Sequence, residues 1–145
     1  MWIYPYPAQA KNAFGKKNRQ YSSEALQTHP SQYKGRRYTA EEVKQLIISY
    51  SQQYRLNPTL PLCIVFHESG YQWSSVNKAG SSARGAAQHL LGTWLNRPEG
   101  KAGRSRFDAD ASIRAMITHM AYHKDATPWV ARNHCKKLNY DKLKF

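Results

Sequence analysis

Glu68 closes an apolar run, Leu60-Pro61-Leu62-Cys63-Ile64-Val65-Phe66, and a loop rich in Gly and Ser separates it from Gln88 and Trp94. A carboxylate at the end of a buried helix loses part of its hydration, which raises its pKa toward the range useful for proton donation. Glycosidic bond cleavage needs such a group, because the leaving oxygen must be protonated as the bond breaks. Two-carboxylate glycosidases place a second acid across the scissile bond, yet residues 69–98 contain no Asp or Glu. Asp108 and Asp110 read instead as the start of a helix, where the dipole favours acids. The six histidines (29, 67, 89, 119, 123 and 134) include a pair, His119 and His123, at the i, i+4 spacing that zinc ligands can use. No HExxH accompanies them, and Arg114 and Lys124 add positive charge nearby, so they read as polar-face residues. No metal or cofactor is expected.

The elements that must position Glu68 are helical. Thr39-Ala40-Glu41-Glu42 forms a capping box, and Val43, Leu46, Ile47, Tyr50 and Tyr54 repeat at helical spacing, which predicts a helix over 40–54. Asn57-Pro58 ends it. Pro61 suits the first turn of a second helix, apolar nearly all round and therefore buried, which Gly70 stops just after Glu68 and Ser69. Gly80, Ser81, Ser82 and Gly85 allow tight turns and close approach of a ligand. Ala86–Trp94 reads as a short helix and 96–106 as a polar basic loop. Asp108 is an N-cap for a helix striped by Ile113, Met116, Ile117 and Met120, and Thr127-Pro128 opens a last helix carrying Trp129, Val130 and Cys135. No strand pair is convincing, so the domain reads as all-α.

Several of these residues also carry a resemblance. Glu68-Ser69-Gly70-Tyr71, Val76-Asn77, Ser82-Ala83-Arg84-Gly85-Ala86-Ala87-Gln88 and Thr93-Trp94 occur in that order. Phe107-Asp108-Ala109 with Ile113-Arg114-Ala115 follows, and then Thr127-Pro128-Trp129-Val130-Ala131, His134 and Tyr140. Together they resemble the soluble lytic transglycosylases of the lysozyme superfamily, especially their phage and tape-measure variants, over roughly residues 40–140. Gly85-Ala86-Ala87-Gln88 stands where the family often has Gly-Leu-Met-Gln, and Cys135 stands in place of a usual Trp. The resemblance implies an α-rich lysozyme-like fold that cleaves peptidoglycan glycan strands to 1,6-anhydromuramoyl ends. It implies Glu68 as the single catalytic acid/base, with Ser69, Ser82, Gln88, His134 and Tyr140 at the glycan and Tyr140 steadying the Glu68 carboxyl. A missing second carboxylate suits that chemistry, in which the sugar's own hydroxyl attacks and no water needs a base. A hydrolysing muramidase is the enzymatic alternative, and a structural virion or secretion component with little activity is the non-enzymatic one.

At 145 residues the chain is long enough for one domain with a packed core. Its 22 Lys and Arg against 9 Asp and Glu give a net charge of +13, which favours an anionic partner, whether nucleic acid, an acidic membrane or an anionic wall polymer. The charge sits mostly in the arm and tail, and no nucleic-acid reader motif is present, so a nucleic-acid role is disfavoured. No stretch has the ~20 apolar residues of a membrane span. The N-terminus shows no basic and apolar signal pattern, so delivery to an envelope or periplasm as part of a virion is expected. Cys63 and Cys135 lack metal-site spacing and read as reduced buried thiols, with a single disulfide as the alternative. Residues 1–38, set apart from the catalytic domain 39–145, hold Pro5, Pro7, Pro30 and seven basic residues against Glu24. They read either as a solvated arm or as an extended one that docks on a virion or injection-device protein through Trp2, Tyr4, Tyr6 and Phe14.

Overall fold

The structure, a computed structural model, describes residues 9–11 and 17–138. Tyr140 and the aromatics Trp2, Tyr4, Tyr6 and Phe14 lie outside the described residues. The chain is helix-rich: α1 (Ala40–Gln53), α2 (Thr59–Ser69), α3 (Leu91–Leu95), α4 (Pro98–Lys101) and α5 (Ala109–His123), with 3-10 segments at Pro30–Gln32 and Val130–Leu138. One antiparallel pair, β1 (Gln9–Lys11) with β2 (Lys17–Arg19), lies in the N-terminal region, in register Gln9 to Arg19. This hairpin was not foreseen, because Lys, Asn and Gln carry little strand preference and show no alternating apolar face.

The long helices start and stop where their chemistry requires. Thr39 accepts from Glu42 N while the Glu42 carboxylate accepts from Thr39 N, so the capping box closes. Asp108 caps α5 by accepting from Ala111 N. Gly70, at φ +60, terminates α2 in the left-handed conformation that glycine adopts at least cost. Their apolar faces meet in one core. Val43, Ile47 and Tyr50 of α1 pack with Ile113, Met116, Ile117 and Met120 of α5, while Leu60, Ile64 and Val65 of α2 close the cluster with Trp129 and Cys135. Burying such side chains contributes roughly 1.5–3 kcal/mol each.

Four expectations need correction. Helix α2 is not buried all round: Phe66 is 56% exposed and His67 is exposed, because Leu60, Pro61, Ile64 and Val65 already form its core-facing side. The helix expected over 86–94 is confined to Leu91–Leu95, since Arg84 bridges to both Val76 and His89 and holds 84–90 as a turn. The loop expected over 96–106 contains α4 and buries Glu99 and Arg106. The last helix is a 3-10 segment rather than an α-helix.

The boundary drawn at residues 38 and 39 also falls inside the packed body. Ala25 and Tyr33 are buried, and Ser22 Oγ donates to the Gly103 carbonyl at 2.7 Å. Arg84 Nε donates to Thr28 O at 2.7 Å, Arg106 donates to Gln27 O at 3.1 Å, and the Tyr33 ring lies 5.5 Å from Trp73. Residues 20–38 are thus a strap across the 82–107 region.

The strap's anchor depends on a close backbone approach. Gly85 sits at φ +83, and a Cβ there would overlap the Arg106 carbonyl. Gly70 is also left-handed, yet nothing lies within 4 Å of a Cβ built on it. Gly70→Ala should therefore cost about 1 kcal/mol of unfolding free energy and Gly85→Ala about 3 kcal/mol or more. Urea melts of both variants check this, and equal losses would contradict the close approach at Gly85.

Candidate active site

Three segments meet beside Glu68: the last turn of α2, the turn over 84–90 and the start of the 3-10 segment. Ser69 Oγ donates to the Ala86 carbonyl at 2.6 Å, fastening the 84–90 turn against the last turn of α2. Ala131 N–H, on the 3-10 segment, donates to Glu68 Oε1 at 3.3 Å. Trp129, nearly fully buried, donates through its indole N–H to the Ala87 carbonyl at 2.9 Å and so joins the second segment to the third. The Cys63–Cys135 disulfide, with Cα atoms 6.0 Å apart, ties α2 covalently to that 3-10 segment. This corrects the expectation of two reduced thiols. The apolar setting foreseen for Cys63 is real, but α2 also brings it against Cys135, 72 residues away in sequence.

Glu68 is half-buried, and burial raises its pKa above the ordinary 4.5, opposed only by the Ala131 N–H, which favours the charged form. Among the described residues no cation or carboxylate adds to these two influences. The next acids along the chain are occupied elsewhere. Glu99 pairs with Arg114 at 3.4 Å, and Asp108 and Asp110 share Arg104 at 2.8 and 2.9 Å. A carboxyl that burial raises above its ordinary pKa, and that holds one fixed N–H, can both release and accept a proton.

The other residues expected at the site divide by what they touch. Ser69 is spent on Ala86, so it positions the turn. Gln88, at φ +52, donates from its amide to Ser75 O at 3.1 Å and Gly85 O at 2.9 Å, which locks the turn from inside. Ser82 Oγ accepts from Leu91 N at 3.1 Å, in the first turn of α3. His134 is exposed, its ring stacked on His67 at 4.9 Å. Tyr140 lies outside the described residues. Of the two histidines set aside as polar-face groups, His123 is exposed while His119 tucks against Trp129 with its ring centroid 5.6 Å away.

Two features were hidden from side-chain reasoning. The Ala131 contact to Glu68 is a backbone N–H, to which residue type gives no clue. His67 was passed over although it lies one helical turn after Cys63. Its nitrogen and the sulfurs of Cys63 and Cys135 all fall within 4.8 Å of one another. Exposed apolar groups flank Glu68 in sequence and at its hydrogen-bond partner: Phe66 on α2 and Val130 beside Ala131. A separate cavity of about 630 Å³, lined by Tyr33, Arg36, Tyr38, Arg104 and Asp108 among others, contains neither Glu68 nor Gln88.

The chain matches no protein-family model, no curated protein and no solved structure.

The raised pKa of Glu68 has a definite sign for stability. A carboxyl whose folded pKa lies above its unfolded value contributes most below the unfolded value and loses that contribution as pH rises through the folded one. At pH 7 the parent therefore bears the full cost of the buried charge, and Glu68→Gln should melt at a higher temperature than the parent. That advantage should shrink as the pH falls through the raised folded value and vanish below the ordinary 4.5. Thermal melts of both proteins across pH 4 to 7 test it, and an advantage that grows on acidification would refute the burial.

Proposed function

We propose that the protein is a peptidoglycan lytic transglycosylase of lysozyme-like fold, with Glu68 as its single acid/base. The observation that carries this reading is the environment of Glu68, half-buried, raised in pKa by burial and held by one backbone N–H, with no second carboxylate acting on it among the described residues. The order of motifs from Glu68-Ser69 through Trp129 supports it as a resemblance. So do the contacts that bring three of those motifs together at the end of α2, Ser69 to Ala86, Trp129 to Ala87 and Ala131 to Glu68.

In this reading Oε1 of Glu68 is engaged by Ala131 N–H, and Oε2 carries the transferable proton. The proton passes to the glycosidic oxygen between N-acetylmuramic acid and N-acetylglucosamine as the C1–O bond breaks. The resulting carboxylate then takes the proton of the muramoyl C6 hydroxyl, whose oxygen closes on C1 to give the 1,6-anhydro ring. Nucleophile and electrophile belong to one sugar, so proximity replaces a positioned water and its base. Ser69 and Gln88 act by holding the 84–90 turn beside Glu68. The exposed Phe66 and Val130 offer apolar surface to the sugar faces.

A net charge of +13 draws the protein toward the anionic wall, a steering effect that salt weakens. Delivery as part of a virion or injection device remains the reading of the N-terminal region. Because residues 20–38 are built into the body, the docking segment is 1–19 rather than 1–38.

Glu68→Gln keeps the shape of the side chain and removes the transferable proton, so lysis of purified walls should fall at least ~100-fold. Mass spectra of muropeptides released by the parent should show 1,6-anhydro ends. Reducing ends would identify a hydrolysing muramidase instead, and a Gln variant as active as the parent would remove Glu68 from the mechanism.

A further inference from the structure

The disulfide lies within a larger set of donors. Cys63 and His67 are one helical turn apart on α2, so both side chains leave the helix on one side. Cys135 reaches the same point from the 3-10 segment, and the two sulfurs and the imidazole lie mutually within 4.8 Å. Cys135 is buried and Cys63 half-buried, while His67 is exposed and opens the cluster to solvent. Two thiolates and one imidazole are the donor set that selects zinc over magnesium or calcium.

We propose that Cys63, His67 and Cys135 form a zinc site in the reduced protein, with zinc taking over the link between α2 and the 3-10 segment that the disulfide makes in the oxidised one. In a compartment whose thiol pool keeps cysteines reduced, the pair exists as two thiols. A dithiol supplies two electrons and two protons to the S–S bond and closes to its own disulfide, whereas a phosphine supplies the two electrons and becomes the phosphine oxide, with water giving the two protons and the oxygen. Zinc then displaces the two thiol protons and accepts lone pairs from both sulfurs and the neutral His67 ring. Two Zn–S bonds of about 2.3 Å in a tetrahedron hold the sulfurs about 3.8 Å apart. Cα atoms 6.0 Å apart accommodate that separation by side-chain rotation. Three protein ligands leave a fourth position for water, on the solvent side of His67.

The site bears on Glu68 without using it. His67 immediately precedes Glu68, and Cys135 lies four residues after Ala131, whose N–H holds the carboxyl. Either link keeps α2 and the 3-10 segment together, so the carboxyl keeps its partner in both redox states. The zinc proposal stands whether or not the protein cleaves glycans.

Cobalt serves as the probe, because its visible spectrum reports geometry and thiolate ligation. Full-length protein is reduced with a phosphine, freed of reductant without oxygen and titrated with Co²⁺, then with Zn²⁺ in competition. One cobalt per chain is expected, with tetrahedral ligand-field bands and sulfur-to-cobalt charge transfer, both erased by zinc. The oxidised protein should give neither. His67→Ala and His67→Gln alter an exposed side chain and should weaken cobalt binding at least about tenfold, the least that far milder changes around metal sites cost. His123→Ala should leave binding unchanged. Absence of charge transfer in the reduced protein overturns the site. Unaltered affinity in both His67 variants does so as well, as does an equal loss in His123→Ala, which would point to the His119–His123 pair.

Discussion

Everything near the end of α2 depends on keeping one carboxyl partly out of water while a single N–H points at it. Burial favours the neutral form of Glu68 and raises its pKa, while the N–H favours the charged form and lowers it. The balance needs α2 to stop within two residues of Glu68, which Gly70 does by turning left-handed. It also needs the 3-10 segment to arrive from sixty residues away in fixed register. Trp129 secures that register, because its indole N–H finds the Ala87 carbonyl while its ring fills the core. The position of Ala131 thus follows from a large buried ring with one polar handle, a more rigid anchor than a surface contact.

Arg106 plays the corresponding part on the strap side. It has no exposed surface, and its guanidinium donates to the carbonyls of Ser82, His89 and Gln27. Burial lowers its pKa to about 10, with Arg84 adding repulsion, so it stays cationic at neutral pH. A buried cation without a carboxylate is costly unless its donors are met. Three backbone carbonyls engage its two terminal nitrogens, while the buried Nε has no hydrogen-bond partner. The contact to Gln27 ties residues 20–38 to the body, and those to Ser82 and His89 stiffen the turn that Ser69 and Gln88 hold from the other side.

How much of this was legible in the sequence varied with the physics involved. Helices α1 and α5 were read close to their true limits because Thr39 and Asp108 announce their caps and their apolar residues repeat at helical spacing. Glu68 at the end of α2 and Gly70 as its stop were legible for the same local reason. The turn at 84–90 was misread as helix, since Ala86 and Ala87 favour helix and nothing local reveals Arg84 bridging both ways. The buried Arg106 and Glu99 were read as loop polarity, because a charge carries no mark of the partner that lets it be buried. The disulfide was weighed and placed second, as a separation of 72 residues leaves pairing to the tertiary fold. For the site, residue types pointed to Glu68 correctly in setting, but Ser69, Ser82 and Gln88 turn out to make backbone contacts that shape the surroundings.

That redistribution of roles reflects how a chain with few strands builds a rigid loop region. Residues 70–107 contain only two short helices, so most of their backbone groups lack ladder partners. An unpaired buried backbone group costs as much as a lost hydrogen bond, and side chains supply the missing partners here. Gln88 serves two carbonyls, Arg106 serves three, and the indole of Trp94 donates to Arg104 O at 2.9 Å. His89, held neutral by complete burial with its pKa pushed down to about 3, places Nε2 at 2.9 Å from Ser112 O and so donates from that nitrogen. The Glu99–Arg114 pair closes the far side of α4 against α5. Such a polar interior adds little net stability over an apolar one, yet each group accepts only one arrangement of the loops. The transglycosylase activity proposed above would gain from that selectivity, since small displacements of a catalytic group cost rate steeply.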